Sequence, residues 1–276
     1  MRTALIQLNS SDDPVRNLVE TQALIESAAS QGAGFVLTPE VTNCVSASRT
    51  HQKTVLATEA EDATLHAICD QARDLGIWCL LGSVALRSDD PDGRFANRSF
   101  LIGPDGEVRA RYDKIHMFDV QVSETETYRE SAGYRPGEAL ALVDTGFAQV
   151  GLTVCYDLRF PRLYRTLAQA GAQVITVPSA FSPVTGAAHW HALLRARAIE
   201  NGCYILAPAQ CGTHAAQRGR SRSTYGHSLA VAPWGEVLVE GGDAPGVHIF
   251  EIDAKSSDNA RRKIPALTHD AAFTGP

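Results

Sequence analysis

The chain has 276 residues, of which 44% are hydrophobic and 20% are charged, and its formal net charge is −6. A chain of this length can bury a sizeable core, and this composition is typical of a folded globular protein, which disfavours disorder, collagen and coiled coils. The 31 acidic residues outnumber the 25 basic ones, which argues against nucleic acid as a main partner.

Cysteine usage and hydropathy narrow the class further. The six cysteines include no C-x-x-C pair, so neither a zinc site nor a disulfide framework is indicated. The first residues lack the apolar run of a signal peptide, and no apolar stretch is long enough to span a membrane. We therefore expect a cytoplasmic protein that uses no metal and does not act at a membrane.

Apolar runs of strand length alternate with segments of helical period along the chain, which predicts a layered α/β domain. Strands are predicted at 3–8, 34–38, 77–86, 95–102, 107–113, 147–154, 173–178, 203–209, 225–232, 236–240 and 247–252. Helices are predicted at 14–30, 59–75, 161–170, 187–201 and 253–263. The first helix has Asp13 as its capping residue and Pro14 at its first position.

Two segments are predicted without regular structure. Residues 116–138 are polar and indicate a long loop of the functional kind. Residues 265–276 are predicted to form a C-terminal tail, which follows a single domain at 1–264.

Three reactive side chains follow predicted strands: Glu40, Lys114 and Cys155. Strand ends at one edge of a sheet are where α/β folds place their sites. A cysteine attacks a carbonyl as thiolate, so it needs a base or a nearby positive charge, and the intermediate needs donors for its oxyanion. Glutamate supplies the base and lysine the positive charge. Taken singly, each has an ordinary explanation as a buried thiol or a solvated charge.

The segments around these residues resemble the nitrilase superfamily of carbon–nitrogen hydrolases. The similar motifs are L-T-P-E at 37–40, Y-D-K-I-H at 112–116 and G-L-T-V-C-Y-D-L-R-F-P at 151–161. The resemblance, which runs from about residue 2 to 264, implies that Glu40, Lys114 and Cys155 form a catalytic triad. It also implies a second functional glutamate at Glu130.

The same resemblance implies a fold and an assembly. The expected fold is a four-layer α-β-β-α sandwich, with two mixed sheets face to face and helices outside. Members are usually paired through a dimer interface, so a homodimer or higher homo-oligomer is expected. The resemblance implies a small-molecule amide as substrate and requires no cofactor.

Cys155-Tyr156-Asp157 is the form seen in the amidase branch, whereas true nitrilases have Cys-Trp-Glu at this point. Further segments are similar to the deaminated glutathione amidases: P-S-A-F at 178–181, A-Q-C-G at 209–212 and Y-G-H-S at 225–228. This similarity implies hydrolysis of deaminated glutathione to 2-oxoglutarate and cysteinylglycine through a cysteine thioester, a metabolite-repair reaction.

In the implied mechanism Glu40 takes the thiol proton, and Lys114 and the backbone N–H of Tyr156 hold the oxyanion. Glu130 helps to position the lysine or the substrate.

Family positions also indicate residues that bind the 2-oxoglutaryl end of the substrate. Arg159 and Thr185 are the nearest suitable donors, since arginine matches a carboxylate bidentately. Phe181 is expected to wall the pocket. The alternative for Arg159 is a structural ion pair with Asp157 or Glu200.

The Arg-rich segment 213–224 is longer than the subfamily pattern predicts. It is interpreted as a solvated loop. The alternative is that Arg218, Arg220 or Arg222 contacts the glycine carboxylate of a cysteinylglycine leaving group.

Other functions stay open at this stage. An omega-amidase acting on 2-oxoglutaramate, another small-amide hydrolase, and a catalytically silent partner-binding relative are all compatible with the fold. Gly226-His227-Ser228 weakly indicates a serine hydrolase, although the second glycine of a nucleophile elbow is missing. His189, His191 and His227 lack the supporting carboxylates of a metal site.

Overall fold

The computed structural model of the protein describes residues 1–121, 124 and 127–275. Most strands in this part of the chain belong to two sheets of six strands each. The first sheet contains β1 (Arg2–Gln7), β2 (Phe35–Leu37), β3 (Trp78–Arg87), β4 (Phe95–Ile102), β5 (Val108–Asp113) and β16 (Gly246–Glu251). The second contains β8 (Ala141–Asp144), β9 (Gln149–Leu152), β10 (Val174–Thr176), β11 (Tyr204–Ala207), β14 (Leu229–Val231) and β15 (Val237–Glu240).

Both sheets are mixed. Their strand orders are β16-β1-β2-β3-β4-β5 and β15-β14-β11-β10-β9-β8. The central strands β1, β2 and β3 run parallel, as do β9, β10 and β11, and the outer strands pair antiparallel. Parallel strands require crossover connections, which here carry helices.

The helices lie outside the paired sheets. They are α1 (Pro14–Ser30), α2 (Arg49–Val55), α3 (Ala63–Leu75), α4 (Pro161–Gln169), α5 (Pro183–Asn201) and α6 (Ala254–Lys263). Alternate residues along a strand face opposite sides of its sheet. In β1, Leu5 therefore packs with the second sheet in one core cluster, whereas Ala4 and Ile6 pack in another cluster with α1 and α3.

The second sheet repeats this arrangement, with Leu167 of α4 and Leu194 of α5 packed in the cluster that also contains its strands. The order of layers is thus helix, sheet, sheet, helix, and the expected α-β-β-α sandwich of two mixed sheets is confirmed.

Helix boundaries follow local chemistry. Asp13 caps α1 as predicted, since its side chain accepts hydrogen bonds from the N–H groups of Val15 and Arg16. The helix predicted at 59–75 starts at Ala63, because residues 59–61 form a separate 3-10 turn. The helix predicted at 187–201 starts earlier, at Pro183, which suits a first helical position.

Several short elements were not predicted. Helix α2 and strand β8 lie in segments without clear apolar periodicity. The predicted loop at 116–138 contains the hairpin strands β6 (Asp119–Gln121) and β7 (Thr127–Arg129). Residues 122, 123, 125 and 126 of that loop lie outside the described part of the chain.

The Arg-rich segment is also more ordered than expected. Strands β12 (Cys211–His214) and β13 (Arg222–Tyr225) pair antiparallel, so the two ends of the segment form a hairpin, and the predicted solvated loop is confined to residues 215–221 between them. The tail predicted at 265–276 includes a 3-10 turn at 266–268, and Arg165 on α4 donates to the carbonyl of Ala266 and the carboxylate of Asp270. Pro276 lies outside the described residues.

No helix within residues 1–121, 124 and 127–275 is both long enough and apolar enough to cross a membrane.

Gly82 on β3 lies against segments that follow strands of both sheets. A Cβ atom at this position would lie 1.9 Å from the carbonyl oxygen of Thr38 and 2.6 Å from Cβ of Pro178. Thr38 follows a strand of the first sheet and Pro178 a strand of the second. Only glycine therefore allows this approach of backbone to backbone.

We predict that Gly82→Ala lowers the free energy of unfolding by about 3 kcal/mol, because a methyl group must displace backbone atoms. The measurement is denaturant unfolding followed by circular dichroism. Gly246→Ala is the matched control, since a Cβ there meets its nearest neighbour at 3.9 Å, an ordinary contact. Equal stability of the two variants would contradict the steric argument.

Candidate active site

The ends of three strands meet at one cavity. Glu40 follows β2, Lys114 follows β5 and Cys155 follows β9. Together with Glu130 they line a cavity of about 630 Å³. The structure therefore brings together all four side chains that the sequence indicated for catalysis.

The ammonium of Lys114 lies between two carboxylates. Its Nζ donates to Oε1 of Glu40 at 2.8 Å and to both carboxylate oxygens of Glu130 at 2.9 Å. The Lys114 side chain is only 2% exposed. Burial would lower the pKa of Lys114, but Glu130 and Glu40 outweigh burial and raise it well above the ordinary value. Lys114 is therefore a permanent cation in the site.

Glu40 is held at both carboxylate oxygens. Oε1 accepts from Lys114 and from Nδ2 of Asn97 at 2.9 Å, and Oε2 accepts from the N–H of Ala180 at 2.8 Å. Burial alone would raise the pKa of Glu40, but the ammonium of Lys114 holds it below the ordinary value. Glu40 is thus a carboxylate that is fixed in place and able to accept a proton.

Cys155 begins a 3-10 turn with a strained backbone. Its φ is +49°, a region that non-glycine residues rarely adopt, and its N–H donates to the carbonyl of Pro178 at 3.0 Å. The thiol lies beside the carboxylate of Glu40, close enough for the two groups to influence each other. Burial, reinforced by the negative charge of Glu40, raises the pKa of Cys155 despite the opposing charge of Lys114. The resting side chain is therefore a thiol, and its base lines the same cavity.

Asp157 joins the turn at Cys155 to the segment after Lys114. Its Oδ2 accepts from the N–H of Val154 at 2.9 Å and from the hydroxyl of Tyr112 at 2.7 Å. Its Oδ1 accepts from the N–H of His116 at 3.0 Å. This buried carboxylate fixes the nucleophile and the lysine relative to each other.

Asn97 is a site residue that sequence analysis missed. It lies within β4, is 2% exposed, lines the cavity and donates from Nδ2 to Glu40 and, at 3.4 Å, to Oε1 of Glu130. In the sequence Asn97 matches only the N-x-S acceptor pattern of N-glycosylation, through Ser99, and this pattern does not indicate a catalytic site. Nothing in a strand interior distinguishes an asparagine that contacts a site from any other polar residue.

The residues expected to bind substrate differ in their placement. Phe181, Thr185 and Tyr156 line the cavity. Arg159 is not among the described residues that line it; its guanidinium stacks over the rings of Tyr156 and Phe181 and contacts Nδ1 of His189 at 3.1 Å. Its binding role, like the oxyanion role of the Tyr156 N–H, stays a prediction.

The structural alternative for Arg159 is not seen either. Both carboxylate oxygens of Asp157 are engaged by other groups, and Glu200 pairs with Arg197 at 2.9 Å. The serine hydrolase alternative also lacks support, because Ser228 is fully buried and its Oγ accepts from the N–H of Ala209.

Metal binding was not expected. Within the described part of the chain, no group of three or more His, Cys, Asp or Glu side chains is arranged to hold a metal ion. The metal-free, cofactor-free reaction stays a prediction.

The β12–β13 hairpin adds a further wall to the cavity through residues 220–223. Two buried groups anchor it. Nδ1 of His214 contacts the carbonyl of Ser10 at 2.7 Å, and Oδ2 of Asp12 accepts from the N–H of Gln217 at 2.8 Å. This segment is thus fixed to the first sheet's connections and held against the site.

Comparison with known proteins identifies the family. The carbon-nitrogen hydrolase model matches residues 2–262. The chain belongs to the carbon–nitrogen hydrolase family. A curated deaminated glutathione amidase of Yersinia enterocolitica is 41% identical over 271 residues, covering 97% of this chain and 92% of the relative.

Solved structures agree with this assignment. The NitFhit protein of C. elegans has a TM-score of 0.89 and 34% identity, covering 97% of this chain but 64% of its own longer chain. Nit3 of Saccharomyces cerevisiae, a member of branch 10 of the nitrilase superfamily, has a TM-score of 0.85 and 28% identity, covering 99% of this chain and 97% of Nit3. The expectation of an amidase of the carbon–nitrogen hydrolase family is confirmed.

We predict that Asn97→Asp lowers kcat/KM for an amide substrate at least about a hundredfold, because a third carboxylate would compete for the one ammonium of Lys114. Steady-state kinetics measures the effect. Asn201→Asp is the matched control, since Asn201 is equally buried but does not line the described cavity. Retention of kcat/KM within threefold would refute a positioning role for Asn97.

Stability should depend on pH through His214. Burial lowers the pKa of His214 to about 4, below the value of about 6.5 expected in the unfolded chain. The unfolded state therefore binds the proton first as pH falls, so this contribution is complete above pH 6.5 and is lost towards pH 4. We predict a loss of about 2 to 3 kcal/mol in the free energy of unfolding between pH 7 and 4.5.

Denaturant unfolding of wild type and His214→Gln at the two pH values checks this prediction. The variant should show a shallower pH dependence, whereas the control His66→Gln, at an exposed position, should follow the wild type. Identical slopes for wild type and His214→Gln would exclude His214 as the titrating group.

Proposed function

We propose that the protein hydrolyses the amide bond between the 2-oxoglutaryl group and the cysteine of deaminated glutathione, with Cys155 as nucleophile, and releases 2-oxoglutarate and cysteinylglycine. The observation that carries this proposal is the Cys155 thiol beside a fixed carboxylate and a buried ammonium, on the wall of a substrate-sized cavity. The substrate follows from the name of curated relatives such as that of Yersinia enterocolitica.

In the first half-reaction Glu40 removes the proton from the thiol as the sulfur attacks the amide carbon. Lys114 is a buried cation that can stabilise the oxyanion, and the N–H of Tyr156 supplies a second donor. The C–N bond then breaks, and the amine takes the proton back from Glu40. Cysteinylglycine leaves, and the 2-oxoglutaryl group remains on Cys155 as a thioester.

In the second half-reaction Glu40 removes a proton from water, which attacks the thioester carbon. The sulfur leaves as the C–S bond breaks and regains a proton from Glu40, so 2-oxoglutarate departs and the thiol is restored. Glu130 does not need to exchange protons in either step. Its two hydrogen bonds to Lys114 keep the ammonium charged and oriented.

The charges around the cavity favour an anionic substrate. Among the described residues, four arginines line it: Arg49, Arg129, Arg220 and Arg222. The carboxylates of Glu40 and Glu130 are already engaged by Lys114. Deaminated glutathione carries a carboxylate at each end, whereas 2-oxoglutaramate carries one, so this excess of guanidinium groups supports the larger substrate.

The proposal extends to the cellular location and the oligomeric state of the protein. We propose a cytoplasmic location, as the sequence analysis expects, and, on the basis of the family resemblance, a homodimer or higher homo-oligomer. A catalytically silent partner-binding role is less well supported, because the four reactive side chains are present and line one cavity.

We predict that Cys155→Ala lowers turnover of deaminated glutathione at least about ten-thousandfold, because the covalent step is lost. Release of 2-oxoglutarate, measured in a coupled assay, gives the rate. Cys203→Ala is the matched control, since this cysteine is also buried but does not line the described cavity. Full activity of Cys155→Ala would overturn the mechanism.

The substrate is tested by the ratio of kcat/KM for deaminated glutathione to that for 2-oxoglutaramate. We predict a ratio of at least about ten, which corresponds to about 1.4 kcal/mol of discrimination in the transition state. A ratio near or below one would assign the protein as an omega-amidase or a generalist. No turnover of either substrate would reject both assignments.

A further inference from the structure

Arg222 differs from the other arginines that line the cavity. It is half-buried at the start of β13, whereas Arg49, Arg129 and Arg220 are exposed. A buried guanidinium loses more hydration than an exposed one, so its position requires compensating contacts.

The contacts that the structure provides for Arg222 are incomplete. Its Nη2 donates to the carbonyl of Ala180 at 2.7 Å. Its Nε is buried and has no hydrogen-bond partner among the described residues. No carboxylate in the described part of the chain forms an ion pair with it. A buried N–H donor without an acceptor, on a half-buried guanidinium without a carboxylate, calls for a further partner.

Arg222 is also held close to the proposed base. The residue that accepts its hydrogen bond, Ala180, donates its own N–H to Oε2 of Glu40 at 2.8 Å. The positive charge of Arg222 acts on Glu40, in the direction that favours the carboxylate. The guanidinium is thus on the Glu40 side of the site.

The hairpin that carries Arg222 is firmly placed. The N–H of Tyr225 donates to the carbonyl of Phe181 at 2.9 Å, and Nε2 of His214 contacts Oγ1 of Thr224 at 2.7 Å. A side chain on such a rigid element can bind a ligand group without a large ordering cost.

The proposed reaction determines which end of the substrate lies on the Glu40 side of the site, beside Arg222. Glu40 returns its proton to the departing amine, so the leaving group must lie on the Glu40 side of Cys155. We propose that Arg222 binds the carboxylate of the leaving group, which in deaminated glutathione is the glycine carboxylate of cysteinylglycine. This assignment rests on the function proposed above, and it makes Arg222 a residue that selects a peptide over ammonia as leaving group.

The test combines the variant Arg222→Gln with three substrates: deaminated glutathione, the same molecule with its glycine carboxylate converted to a carboxamide, and 2-oxoglutaramate. For deaminated glutathione, kcat/KM should fall at least about tenfold more than for 2-oxoglutaramate, because only the first has a carboxylate on the leaving group. The wild type should lose a similar factor on the carboxamide. Arg222→Gln should no longer distinguish carboxylate from carboxamide.

Arg218→Gln is the matched control, since Arg218 belongs to the same hairpin and does not line the described cavity. It should retain the wild-type preference. Thermal unfolding of each variant shows whether the fold is intact. If Arg222→Gln does not fold, the wild type on the carboxamide substrate still decides, because an unchanged kcat/KM there excludes recognition of that carboxylate.

Contrary outcomes are distinct. Equal losses on deaminated glutathione and 2-oxoglutaramate would place Arg222 at the acyl end or behind Glu40 and would overturn the proposal. So would no loss on either. If the wild type turns over 2-oxoglutaramate but not deaminated glutathione, the proposed function fails, and the Arg222 assignment fails with it. This outcome is seen in the wild type, so it is distinct from a failure of the Arg222 assignment alone, which is seen only when the variant is compared with the wild type.

Discussion

The structure of the site depends on one buried ammonium shared by two carboxylates. Lys114 is 2% exposed and contacts both Glu40 and Glu130 at 2.8 to 2.9 Å. Removing three charges from water is costly unless they are fully hydrogen-bonded to one another. Glu40 and Lys114 come from the first sheet, but the other oxygen of Glu40 is held by Ala180 after the second sheet. The hydrogen bonds of Glu40 are therefore complete only when the two sheets meet, and this couples the chemistry to the fold.

Burial is the main influence on the state of the nucleophile. It raises the pKa of Cys155, the negative charge of Glu40 raises it further, and the opposing charge of Lys114 offsets them only in part. Lys114 does favour ionisation of the cysteine, as the sequence analysis expects, but this effect is weaker than the combined effect of burial and the charge of Glu40. The arrangement instead suits a thiol that loses its proton to Glu40 during attack, while the positive φ of Cys155 keeps the sulfur at the cavity wall.

The sequence predicted the parts of the structure that are governed by local patterns. Period-two and helical-period segments identified the strands of both sheets except β8, and strand ends located Glu40, Lys114 and Cys155. Short polar elements such as α2 and the two hairpins have too few apolar residues for a periodic signal. Asn97 is set in place by pairing across a sheet, and the contrast between Arg159, stacked on aromatic rings, and Arg222, on the cavity wall, depends on tertiary contacts alone. No local pattern records either.

This division reflects how the site is built. Glu40, Lys114 and Cys155 stand just after strands of the two sheets, which fix their backbone. Little variation is tolerated there, as the steric limits at Gly82 show. The walls that face the rest of the substrate come from hairpins and from the start of α5, which are joined to the sheets by a few buried anchors such as Asp12 and His214. Changes in the β12–β13 hairpin can alter which leaving group is accepted and leave the hydrogen bonds within the ion cluster in place, because no member of that cluster lies in this hairpin. Selectivity and chemistry are thus carried by different parts of the chain that meet at Ala180, whose N–H holds the base and whose carbonyl holds Arg222.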